Sequence, residues 1–106
     1  MPDEHPIFAE IRSLLDGNGG GRERLEQIEH TLTAGYASAL ALEAERWRIE
    51  RRITQVSRML DGPSPELEMK ELAGLARRLA DADEDLTELR GLLASLRTRA
   101  NELRAA

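Results

Sequence analysis

The sequence predicts an all-α fold: an antiparallel two-helix coiled-coil hairpin with a short N-terminal helix, dimerising into a four-helix bundle. Three observations carry that expectation. Two proline-free stretches of equal length, residues 22–60 and 66–104, flank a single break, DGPSP at 61–65. Apolar side chains recur along both in a 3-4 spacing that marks a left-handed seam. When the chain is folded back at the break, facing seam residues have numbers that sum to 128, and large side chains then oppose small ones.

The N-terminal element is PIFAEIRSLLD, a short amphipathic helix expected over about residues 6–16. Its apolar residues are Ile7, Phe8, Ile11, Leu14 and Leu15. GNGGG at 17–21 is a flexible linker, and no Gly-Lys-Ser/Thr follows it as a phosphate loop would require. The tether is expected to let the helix fold back over Tyr36, Leu40 and Ala94, or to present it to a partner protein. Residues 1–21 thus form one region and 22–104 the hairpin.

In the first long helix the seam runs Leu25, Ile28, Leu32, Gly35, Ala39, Leu42, Arg46, Ile49, Ile53, Val56, Leu60. Its 39 residues extend ~58 Å at the α-helical rise. Asp61 and Gly62 are expected to supply a left-handed C-cap, and Pro63 prevents continuation. Ser64 then caps the second helix, with Pro65 at its first position and Glu66 and Glu68 near the positive dipole end. The second seam runs Leu72, Leu75, Leu79, Ala82, Leu86, Leu89, Leu93, Leu96, Ala100, Leu103. In the shared register Gly35 faces Leu93, Ala39 faces Leu89, Ile28 faces Ala100 and Arg46 faces Ala82.

The stretch EAERWRIERR, residues 43–52, sets Arg46, Arg48, Arg51 and Arg52 around Trp47. Its level on the second helix is ADADEDL, residues 80–86. Arg46, Arg48 and Arg52 are therefore expected beside Asp81, Asp83 and Asp85, and Glu50 opposite Arg78. Arg46, with Glu43 and Asp83, is the expected polar device that sets the register.

Tyr36, Leu40 and Trp47 lie off the seam, on a flank that the second helix continues with Met69, Ala73, Ala76, Ala80 and Ala94. Aromatic anchors among small residues suit a protein interface. With the apolar residues of the N-terminal helix, these are the candidate interface residues.

Composition narrows the remaining classes. The 106 residues carry a net charge of −5 and no cysteine. Thiolate metal sites and thiol nucleophiles are therefore excluded, and a general nucleic-acid or anionic-membrane binder is disfavoured. The Arg46–Arg52 strip leaves nucleic-acid association as an alternative. Fourteen arginines against one lysine suit a GC-rich bacterial genome. No segment reads as a signal peptide or membrane span, so a cytoplasmic location is expected. Neither histidine has a ligand set around it, and no cofactor, metal or catalytic residue is expected. The anticipated role is a non-enzymatic adaptor, regulatory or assembly subunit that binds itself and another protein.

Size, acidity, absence of cysteine and two matched helices resemble the small secreted helical-hairpin proteins with a Trp-x-Gly turn. That resemblance implies export and a similar-sized partner. Here the turn is DGPSP, Trp47 is followed by Arg-Ile, and ANELRAA lacks a Tyr-containing export motif. No residue role carries over.

Overall fold

The computed structural model describes residues 5–17 and 19–106, and those residues form three α-helices and no strand. They are α1 (Pro6–Asp16), α2 (Arg22–Ser57) and α3 (Glu66–Ala105). Contacts divide the chain into two units: Met1–Leu40 with Thr87–Ala106, and Ala41–Leu86. The expected glycine linker includes position 18, which lies outside the described residues.

In the first unit, α1 packs against the first half of α2 and the second half of α3. Pro6 opens α1, where its missing N–H costs nothing, and the Phe8 N–H bonds the His5 carbonyl at 3.0 Å. Ile7, Phe8 and Ile11 turn inward and are buried, while Ala9, Glu10, Ser13 and Asp16 face solvent. α2 adds Ile28, Leu32 and Ala39, and α3 adds Leu89, Leu93, Leu96 and Ala100. Gly35 lies where the three helices converge. A Cβ there would collide with Leu93 Cδ2 and stand 3.7 Å from Ile11 Cδ1. Only a residue without a side chain lets them approach so closely.

Gly21 has φ +97°, a conformation that disfavours any residue with a Cβ, and its carbonyl accepts the Leu25 N–H at 3.1 Å to start α2. Glu23 sits in the first turn, near the positive end of the dipole. At the far end of α3, Arg104 complements the negative end and reaches Glu29 of α2 at 2.6 Å.

The second unit joins the last part of α2 to the first part of α3. Ile49, Val56, Leu75 and Ala82 form its core, with Ile53, Leu72 and Leu79 packed against them. The two segments run antiparallel, because Glu45 meets Arg78 whereas Arg52, further along α2, meets the earlier Glu71.

The turn differs from the sequence expectation in two ways. α2 ends at Ser57 rather than residue 60, because the chain tightens there. The Met59 N–H bonds the Val56 carbonyl at 2.9 Å, and the Leu60 N–H bonds Ser57 at 3.3 Å. Gly62 is not left-handed: Gly21 is the one described glycine with positive φ. Three-residue bonds of this kind, continued by Gly62 N–H to the Met59 carbonyl at 3.2 Å, satisfy the terminal carbonyls without the expected cap. The Met69 N–H then bonds Pro65 at 2.9 Å and begins α3.

Candidate protein interaction surface

The quoted arginine strip is largely occupied within the second unit. Arg46 Nε lies 2.6 Å from Asp83 Oδ1, the expected partner. The Nε–H is out of line for a hydrogen bond, so this is an ion pair rather than a directed bond. Glu50 adds a longer contact to Arg46 at 3.9 Å.

Two expected pairings are displaced. Arg52 grips Glu71 with both Nε (2.7 Å) and Nη2 (3.1 Å) instead of reaching Asp81 or Asp85. Arg78 meets Glu45 at 3.6 Å, not Glu50. The cause is the direction in which flanking side chains lean in an antiparallel pair. Glu45 and Arg52 share one flank of α2, and Glu71 and Arg78 share the facing flank of α3. Each residue selects the opposite charge from that row. The Arg52 fork lowers the Glu71 pKa chiefly through its hydrogen bonds, and Glu71 raises that of Arg52 in return. Both side chains are well exposed, so solvent screens the pair and its contribution to stability is small.

The apolar flank is open in both units. In the second unit Trp47 and Met69 are each 59% exposed, with Ala73, Ala76 and Ala80 also exposed. Arg51 covers one side of the indole, its guanidinium carbon 4.8 Å from the ring centroid. In the first unit Leu40 is 66% exposed and Tyr36 is at the margin of exposure. Arg97 stacks 5.3 Å from the Tyr36 ring centroid and donates to its hydroxyl.

The expectation that the N-terminal helix covers Tyr36, Leu40 and Ala94 is corrected. α1 lies instead against Gly35 and beside Thr31, and its Ala9, Glu10, Ser13 and Leu14 line an open groove of about 460 Å³ with Gln27, His30 and Thr31. Arg12 of α1 pairs with Glu88 of α3. α1 follows the buried Thr31 because that position, adjacent to the seam on the other flank, offers an uncharged surface beside the Gly35 notch. Ile7, Phe8 and Ile11 are thereby buried in the chain's own core, and Leu14 and Leu15 are half-buried. Ile7, Phe8 and Ile11 are not available to a partner while α1 is docked. Glu43, assigned to the register device, is half-buried.

Sequence reasoning missed two features. Leu67 and Met59, beside the turn, are 76% and 50% exposed, and an off-seam leucine at position 67 was the available signal. The second is a pair of guanidiniums at the end of α1. Arg24 of α2 donates to the Leu14 carbonyl, and Arg99 of α3 donates to the Gly17 carbonyl at 2.7 Å. No local motif foretells such long-range bonds.

Among the described residues no helix is long and apolar enough to cross a membrane, and no group of three His, Asp or Glu could hold a metal. Comparison with protein-family models, curated proteins and solved structures finds no match.

Proposed function

We propose that the protein is a non-enzymatic, cytoplasmic helical-hairpin interaction module that self-associates. In this reading two antiparallel coiled-coil hairpins form a four-helix homodimer that serves as an adaptor, regulatory or assembly subunit for another protein. The carrying observation is Trp47: a large aromatic, 59% exposed, on a flank that α3 continues with three exposed alanines. An exposed Trp beside small side chains suits a contact in which the ring becomes an anchor.

The register supports a second copy as the occupant. Trp47 and Ala80 lie at the same level on the two helices, as do Thr54 and Ala73. A two-fold axis along the helices would set the indole of each copy over Ala80 of the other, large against small. Nucleic-acid binding is less well supported, since Arg46 and Arg52 already hold carboxylates.

Light scattering across a dilution series tests the reading. A mass near 24 kDa, twice the 11.8 kDa chain, is expected at high concentration and should fall on dilution. Trp47→Glu should give a helical monomer at all concentrations. A native chain that stays at 11.8 kDa throughout while fully helical contradicts self-association.

A further inference from the structure

α1 is not self-sufficient. Eleven residues are too few for a persistent helix in water. It has no side-chain cap at His5, no acidic residue in its first turn and no basic residue in its last. Each of these would otherwise offset the unpaired backbone groups at its ends. The missing cations come from elsewhere: Arg24 and Arg99 hold the Leu14 and Gly17 carbonyls. Its further support comes from the burial of Ile7, Phe8 and Ile11 and from the ion pair of Arg12 with Glu88 of α3. The helix therefore owes its form to the surface beneath it.

That surface does not depend on α1 in the same way. Ile28, Leu32, Leu89 and Leu96 are seam residues that α2 and α3 contribute to their own contact. The connection is rich in glycine, at positions 17, 19, 20 and 21, and so has the backbone freedom of a hinge.

We propose that α1 is a displaceable strap that folds as it docks, and that the α2–α3 surface beneath it is a receptor for an amphipathic helix of α1's own pattern. The recognition elements are the apolar notch at Gly35, which receives Ile11, and the two arginines, which cap the C-terminal carbonyls of whatever helix lies there. Glu88 adds charge selection for a cation one position after the notch residue, as Arg12 provides. α1 occupies the receptor in cis. Opening exposes it to the same segment of a second copy. The inference does not rest on the proposed dimer, which uses the opposite flank.

Hydrogen exchange on the full native chain and peptide binding test it together. The α1 amides should exchange as a group, at least about tenfold faster than those around Leu32 and Leu96, as expected of a local opening. Ile11→Asp in the full chain should release α1 yet leave α2 and α3 helical. A labelled peptide of residues 5–17 should then bind this variant saturably. It should bind the native chain at least about tenfold more weakly, because only molecules with α1 open are competent. Exchange of α1 no faster than that of α2 and α3 would overturn the proposal. So would a helical Ile11→Asp chain that ignores the peptide, or loss of α2 and α3 along with α1.

Discussion

Gly35→Val is expected to destabilise the protein by about 2 kcal/mol, within the usual range for overpacking a closed core. A Cβ at this position would collide with Leu93 Cδ2, stand 3.5 Å from Leu93 Cγ and 3.7 Å from Ile11 Cδ1, and the added methyls need more room still. Leu93 is only 2% exposed, so its branch has little space to retreat into. The entropic gain from replacing a helical glycine, roughly 0.5–1 kcal/mol, opposes the clash without cancelling it. Gly91 provides the control. Nothing lies within 4 Å of a Cβ there, so Gly91→Ala should stabilise by that same small amount. Urea midpoints of the two variants decide the matter. A valine variant as stable as the native chain would contradict the close approach of Leu93 to Gly35. Combining Gly35→Val with Leu93→Ala should recover part of the loss, since one truncation then makes room for the other addition.

Leu89→Ala should cost about 3 kcal/mol, a large fraction of the stability of a domain this small. Leu89 is fully buried, level with Ala39, and a small residue already stands across from it. Neither neighbour can fill the space that truncation leaves. Leu40→Ala removes the same atoms from a side chain 66% exposed, and should change the monomer's stability by under about 0.5 kcal/mol. Thermal or urea unfolding at low concentration, where association does not contribute, compares the two. Equal effects would mean that the core is not where the seam places it.

These predictions rest on features that were legible before any coordinates. Gly35 and Leu93 face each other because a long 3-4 seam folded at one break leaves few registers, and size complementarity selects among them. The exposure of Trp47 and Leu40 was legible for the same reason: once the seam is assigned, off-seam apolar residues stand out. The charge pattern was less so. Arg46 meets Asp83 as expected, yet Arg52 reaches Glu71, nearer the turn, and Arg78 reaches Glu45, farther from the turn than Glu50, since flanking side chains lean along an antiparallel pair in a way that a level-by-level reading ignores.

The placement of α1 was not legible. Its apolar stripe shows that it must bury one face, but a glycine tether carries no direction, and two flanks of α2 were available. What selects the flank is non-local: the notch at Gly35, the uncharged Thr31 surface, and carbonyl contacts to Arg24 and Arg99 that lie 10 and 82 residues from their acceptors. Likewise, DGPSP announced a stop but not its form. Tightened backbone bonds replaced a left-handed glycine, and either solution satisfies the same carbonyls.

Because the native chain has no cysteine, a pair introduced as Ile49→Cys with Leu79→Cys has only itself to oxidise. If α2 and α3 of the second unit are apposed in the stated phase, that pair should close within one chain under mild oxidation, seen as a faster-migrating monomer on a non-reducing gel. Closure with position 72 or 86 in place of 79, while 49 and 79 stay reduced, would mean a slip of one heptad and would contradict the account.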